Sequence, residues 1–242
     1  MISLYKHLLL YTPFRKVIGY IRFIWFAKVI NGIKTYDKNN SLENTISYNL
    51  KAFNHIQHDF AMGRMMYLIH SLLSLEFVNN ESKILVLGPR TENDILILEG
   101  YGFKSVIGLD LITYSPKIML GDMHQMPFDS DLFDVVICGW TISYSSDPLK
   151  ACEEIIRVSN KNAVCVFGFD HDPVRTKNVN REAPIQPNRI NSASELTTLF
   201  QDKISSVYFS YDAELKEFSS EEIREKSGLD ASIVALSFKI KK

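Results

Sequence analysis

Three residues in the middle of the chain have the types and spacing to hold a polar ligand: Gly88, Asp110 and Asp122. Each follows a short apolar run. Gly88 comes after ILVL (84–87), Asp110 closes VIGL (106–109), and Asp122 follows a third run at 118–120. A glycine there lets the backbone approach a ligand closely. A carboxylate only accepts hydrogen bonds and has two oxygens, so Asp110 could take both hydroxyls of a ribose. Asp122, in GDMHQMPF, could accept from an adenine amino group. Further along, His171 sits between Asp170 and Asp172 in GFDHDP, and Tyr144 lies in GWTISYSSDP. Histidine titrates near neutrality, which suits a general base.

These residues need elements to position them. The runs FDVVIC (133–138) and AVCVFGF (163–169) continue the series, and helix-like segments separate the first run from the second and the third long run from the fourth. That alternation predicts a parallel sheet with crossover helices, whose ligands bind beyond the carboxyl ends of the strands. Thr91 and Asp94 form a T-x-x-D pattern that predicts a capping box and a helix from about Glu92, ending by Gly100 or Gly102. The crossover between Asp110 and Asp122 is short and contains Pro116. It is predicted as an extended loop or single turn, with Tyr114 near the ribose. After a helix at about 194–201, the runs 204–211 and 231–240 predict an antiparallel edge.

The order VLGP, GLDL, GDMHQMPF, FDVVICGW, DPLKACEEIIRV and VCVFG resembles the class I S-adenosylmethionine-dependent methyltransferases, most of all the subgroup with a D-x-x-x-L/M-P-F loop before an F-D-V-V strand. The resemblance covers about residues 83–170. It implies an α/β, Rossmann-like doubly wound fold, a mostly parallel seven-stranded sheet with an antiparallel edge. The domains expected are an N-terminal helical extension over 1–80 and a cofactor-binding domain over 81–242. It also implies that S-adenosylmethionine binds and leaves as S-adenosylhomocysteine. Gly88, Pro89 and Arg90 would lie on its methionine side, Asp110 and Leu111 at the ribose, Asp122, Met123 and His124 at the adenine, and Gly139 and Trp140 past the methyl group.

The departures from the family pattern are informative. The first loop usually reads acidic-x-G-x-G-x-G, but here Val86 stands for the acid, and Arg90 and Glu92 stand on later glycine positions. A guanidinium can hold a carboxylate through two parallel hydrogen bonds, so Arg90 becomes a candidate anchor for the methionine carboxylate. The alternative is an arginine paired with Glu92 or Asp94. The Glu-His pair common after strand four is replaced by Ser143 and Tyr144. His171 is then the expected base at the pocket mouth, with Tyr144 in reserve.

With 242 residues and net charge −1, the chain fits one large domain with an appendage and shows no global drive toward nucleic acid. Cys138, Cys152 and Cys165 lack metal-ligand spacing, so no metal is expected, and buried reduced thiols suit a cytoplasmic protein. Residues 1–40 hold seven Lys or Arg against Asp37 alone, among LLLY and VIGYIRFIWFAKVI. The stretch is too charged for a membrane span, and no leader cleavage site is evident. It reads either as a basic arm lying on an anionic membrane or, more simply, as helices that cap the pocket or form a homodimer interface. Residues 41–78 read as helical, with Tyr67, Leu68, Leu72, Leu73 and Leu75 as the apolar face. The loop from Asp172 to Arg189 is basic and suits a small acceptor with a phosphate or carboxylate. The expected activity is O-methylation of a small molecule, with a sugar or nucleotide-linked sugar the leading acceptor. A cofactor-binding protein of the same fold without catalysis is the alternative.

Overall fold

The computed structural model describes residues 4–36, 42–53, 63–171, 190–212 and 232–242. In chain order the N-terminal part contains α1 (Leu4–Leu8), α2 (Thr12–Phe23) running into a π-turn (Ile24–Val29), β1 (Lys34–Thr35), α3 (Glu43–Ala52) and α4 (Met66–Leu73). Then come β2 (Lys83–Leu87), α5 (Asn93–Gly100), β3 (Ser105–Asp110), β4 (Ile112–Thr113), β5 (Ile118–Leu120) and β6 (Phe133–Gly139). The chain continues through α6 (Pro148–Val158), β7 (Ser159–His171), α7 (Ala193–Phe200), β8 (Ile204–Tyr211) and β9 (Ser232–Ile240).

The main sheet has seven strands in the order β5-β3-β2-β6-β7-β9-β8. The first five run parallel, and β9 inserts antiparallel between β7 and β8. The strands read as unbroken apolar runs because helices cover both faces of the sheet. Alternate side chains divide between two cores. Ile84, Val86, Val135, Ile137, Val164 and Val166 face one core, under α2, α4 and α5. Leu85, Leu87, Val136, Cys138, Cys165 and Phe167 face the other, under α6 and α7. All three cysteines are buried free thiols, and burial pushes Cys138 up to about 12, far from thiolate chemistry at neutral pH.

The N-terminal helices share the first core. Leu9, Phe23 and Ala27 are buried with Ile95, Leu96 and Ile97 of α5. This explains why α5 is apolar all round: one side meets the sheet and the other meets α1 and α2. The fit is close, since a Cβ on Gly100 would lie 2.8 Å from Leu10 Cδ2. β1 pairs antiparallel with β4, tying this region to the crossover after β3. That crossover holds no helix, as Pro116 and its length predict.

Three local expectations are corrected. α5 begins on schedule, but no capping box forms: Glu92 occupies the cap position without a side-chain cap bond, and Thr91 Oγ1 accepts instead from the Asn93 N–H at 3.3 Å. In α4 the buried stripe is Leu68, Ile69 and Leu72, whereas Tyr67 and Leu73 face solvent. The 3.6-residue period admits only one of the two stripes against the sheet. Tyr114 is buried against Phe23 and Phe53, 5.1 and 5.9 Å between ring centroids, and lies under the N-terminal helices rather than beside a ribose site. The predicted basic loop 172–189 lies outside the described residues.

Candidate active site

A cleft opens beyond the carboxyl ends of β2, β3, β5 and β6. Its floor includes Gly88, Arg90, Asp110, Leu111, Asp122, Met123 and His124, and its wall includes Trp140, Thr141 and Tyr144. Leu42, Thr45, Tyr48 and Asn49, at the head and along one side of α3, cover it. A smaller polar pocket adjoins it through Gly88, Arg90 and Trp140 and adds Arg64, Pro89 and Gly139. The Arg64 guanidinium sits 4.6 Å above the Trp140 ring. An N-terminal helical cap was among the expectations, but the sequence did not single out the covering residues of α3 or Arg64. They reach the cleft only because the N-terminal region folds back over the sheet.

The backbone around the cleft is held in unusual conformations. Gly88 has φ +64°, and a Cβ there would meet Thr141 Cγ2 at 2.5 Å. The Thr141 hydroxyl donates toward the carbonyls of Leu87 and Gly139, at 3.0 and 3.1 Å, and so links the ends of β2 and β6. Arg90 and Trp140 also have positive φ, 50° and 57°. Arg90 stands on a glycine position of the family pattern and retains a glycine-like backbone. Such residues cost about 1–3 kcal/mol each and cluster where function requires them.

The two carboxylates have distinct settings. Asp110 accepts from the N–H groups of Arg90 and Ile112, at 2.8 and 3.1 Å. Burial pushes its carboxyl above the ordinary range, and these donors offset only part of that. The backbone N–H of Leu111 also helps hold the charge, and a carboxylate offers about four acceptor positions, so acceptor capacity remains for a ligand. Asp122 accepts from His124 through the backbone N–H at 3.0 Å and Nδ1 at 2.6 Å. Partial burial pushes the Asp122 carboxyl up, but the bonds from His124 outweigh it and hold it below the usual range. His124 Nε2 lies 2.7 Å from Ser145 Oγ. This Ser–His–Asp line has hydrogen-bond geometry, but Ser145 is 1% exposed and cannot meet a substrate. It fixes the loop after β6 to the loop after β5.

The last glycine position of the first loop holds a different device. Glu92 is fully buried and accepts from Arg22 Nε at 2.5 Å and Nη2 at 2.9 Å. It also accepts from the Ser115 hydroxyl, and its own N–H donates to Tyr114 Oη at 3.1 Å. The hydrogen bond to Glu92 raises the Arg22 guanidinium above its ordinary value, against partial burial. One residue on, Asn93 Oδ1 accepts from Arg15 Nε at 2.9 Å. Glu92 therefore pairs with α2, and Arg90 lines both pockets.

His171 is misplaced by the sequence reading. It lines neither pocket. It is buried, with Nδ1 2.9 Å from the Asn191 carbonyl ahead of α7. β7 stays extended and paired with β9 as far as His171, so strict alternation turns His171 to the same face as Phe167 and Phe169. Asp170 takes the opposite face, where its Oδ1 accepts from Trp140 Nε1 at 2.7 Å. Tyr144 does line the cleft. Among the described residues no cluster of His, Cys, Asp or Glu could hold a metal ion.

Residues 85–167 match the family model described as a methyltransferase domain. No curated protein sequence matches the chain. Among solved structures, a chain of the Haloferax volcanii Trm112 methyltransferase activator complex is 16% identical, with 83% of this chain and 97% of that one covered and a TM-score of 0.58. The [4+2]-cyclase SpnF is 12% identical, with 72% and 80% covered and a TM-score of 0.53. The N-methyltransferase NodS from Bradyrhizobium japonicum WM9, in complex with S-adenosyl-l-homocysteine, is 13% identical, with 74% and 86% covered and a TM-score of 0.52. At these identities the likeness is one of fold. Family match and strand order agree: residues 85–167 match the methyltransferase domain model, and the sheet is Rossmann-like, mostly parallel with an antiparallel edge, as in S-adenosylmethionine-dependent methyltransferases.

Proposed function

We propose that the cleft binds S-adenosylmethionine and that the chain transfers its methyl group to a hydroxyl of a small molecule, a sugar or nucleotide-linked sugar being the leading acceptor. The observation that carries the reading is the convergence of Gly88, Asp110 and Asp122, from the ends of β2, β3 and β5, on one cleft. The acceptor capacity left on Asp110 suits a ribose hydroxyl. Asp122 Oδ2, which His124 leaves open, suits the adenine amine, with Met123 and His124 beside the ring. Arg90 and Arg64 line the adjoining pocket together with Asp94, and a guanidinium there suits a carboxylate. Bound there, the cofactor would supply a methyl group on a sulfonium, already an excellent leaving group. The protein's task is then chiefly to align the acceptor and exclude water, with α3 as the cover. A base is still useful for a hydroxyl. Tyr144, on the cleft wall, and Asp170, held by Trp140, replace His171 as the residues to test.

A second reading has specific support. Two glycine positions of the first loop are filled by Arg90 and Glu92, and SpnF carries a cyclase name on a similar fold. In that reading the cleft binds the cofactor without transferring its methyl group.

Isothermal titration should show S-adenosylmethionine or S-adenosylhomocysteine binding in the micromolar range, about −7 to −9 kcal/mol. Asp110→Ala should weaken binding by roughly 1.5–3 kcal/mol, since it removes a charged acceptor. Absence of binding by the wild type, or equal binding by the variant, defeats the proposal. Binding without turnover across sugar, nucleotide-sugar and small carboxylate acceptors favours the second reading. Arg90→Lys tests the anchor: the full cofactor should bind about three- to thirtyfold more weakly, because a point charge cannot reproduce the guanidinium fork. Adenosine, which has no carboxylate, should bind both forms alike. An unchanged variant would remove Arg90 from the site.

A further inference from the structure

The N-terminal rod has one face with no role in the cleft. α2 and the π-turn form a continuous helix from Thr12 to Val29. Its inner side is committed: Arg15, Gly19, Phe23 and Ala27 are buried, and Arg15 and Arg22 are clamped on Asn93 and Glu92. Its outer side carries Val17, Ile21, Trp25 and Val29 at four-residue spacing, each more than half exposed at 54–62%. Leu4 and Tyr11, 77% and 64% exposed, extend the apolar surface beyond the rod. Scattered exposed apolar residues are ordinary, but an aligned stripe of this length marks an interaction surface.

The charge around the stripe selects its partner. Residues 4–36 contain no Asp or Glu. The two arginines are spent inward, whereas Lys6, Lys16, Lys28 and Lys34 form no ion pair among the described residues. An apolar stripe with a Trp and tyrosines, bordered by lysines alone, matches the boundary between headgroups and acyl chains of an anionic bilayer. A second copy fits poorly, because a two-fold contact would set lysines against lysines with no acid between them. Among the described residues no helix is long and apolar enough to cross a membrane, so the fit is to the surface. We propose that the outer face of residues 4–30 docks the protein on anionic lipid bilayers. The rod is preformed and clamped to the sheet, so docking requires no folding of the helix. The proposal uses none of the cleft residues and stands or falls apart from the methyl-transfer reading.

The full chain is mixed with vesicles of phosphatidylcholine alone or with about 30 mol% phosphatidylglycerol, and bound protein is read by sedimentation. The wild type should bind the anionic vesicles at least about tenfold more tightly, with affinity falling as salt rises, because surface lysines add attraction that salt screens. Trp25 emission should shift to the blue on binding. The double variant Ile21→Glu, Trp25→Glu should lose vesicle binding by about thirtyfold or more while its thermal midpoint and S-adenosylmethionine affinity stay unchanged, since both residues face solvent. Lys16→Gln with Lys28→Gln should weaken binding and flatten its salt dependence. A wild type that ignores anionic vesicles overturns the proposal, as does a double variant that still binds. A dimer in light scattering that the double variant dissociates, without vesicle binding by the wild type, assigns the face to a second copy instead.

Discussion

Arg22→Ala should destabilise the protein by about 3–5 kcal/mol, a large part of the 5–15 kcal/mol typical of a folded domain. The cause is the carboxylate left behind. Glu92 is wholly buried, and Arg22 supplies both of its charged hydrogen bonds, from Nε and Nη2. The Ser115 hydroxyl alone cannot compensate a buried charge. The loss should appear as a lower denaturant midpoint with little change in slope, since the folded state buries similar surface. Glu92→Gln in the Arg22→Ala background should recover part of the loss, because the neutral amide needs less compensation. Arg22→Lys should fall between wild type and alanine, since one ammonium cannot address two oxygens in the fork geometry. If Arg22→Ala costs under 1 kcal/mol, the pair behaves as a surface salt bridge and the clamp between α2 and the cofactor loop has no energetic substance.

Gly88→Ala should cost about 2–5 kcal/mol, divided between folding and ligand affinity. The left-handed conformation, φ +64°, accounts for about 1–2 kcal/mol once a Cβ is present. Steric conflict adds about 1–3 kcal/mol, because the new methyl would strike Thr141 Cγ2 at 2.5 Å and Thr141 Cβ at 2.9 Å. Thr141 cannot easily yield, since its hydroxyl bridges the ends of β2 and β6. Thermal unfolding of Gly88→Ala and of the pair with Thr141→Gly separates the two terms: the second substitution removes the crowding atoms and leaves the backbone cost. Titration with S-adenosylhomocysteine should show weaker binding in both. A Gly88→Ala protein with wild-type stability and affinity would mean the loop relaxes freely and needs no glycine.

The same reasoning explains what the residues revealed before folding. Parallel strands buried on both faces are continuous apolar runs, so ILVL, VIGL and FDVVIC were readable directly, as were the acids at their ends. Glu92 and Asn93 were visible only as departures from a glycine pattern. Their partners Arg22 and Arg15 lie 70 and 78 residues away, beyond any local period. Tyr114 was assigned to the ribose from its nearness to Asp110, but its ring goes where Phe23 and Phe53 offer a buried aromatic contact. The His171 error differs in kind. Alternation from Phe167 and Phe169 already put it on the helix-covered face, but that count holds only if the strand continues, and the pairing of His171 with Ser232 of β9 is what extends it.

By itself the sequence determined the alternating α/β order, the open ends of the strands, the glycine and carboxylates that meet there, and the excess of lysine and arginine at the N-terminus. These follow from periods of two and 3.6 residues, from glycine's conformational freedom and from charge, all local properties of the chain. Tertiary structure decided which arginines turn inward to Glu92 and Asn93, which lysines stay outside, that α3 covers the cleft, and that Asp170 rather than His171 shares the face of Trp140. Those outcomes depend on which apolar faces pack together in space, and a buried ion pair or a shared core is specified by packing between elements far apart in sequence.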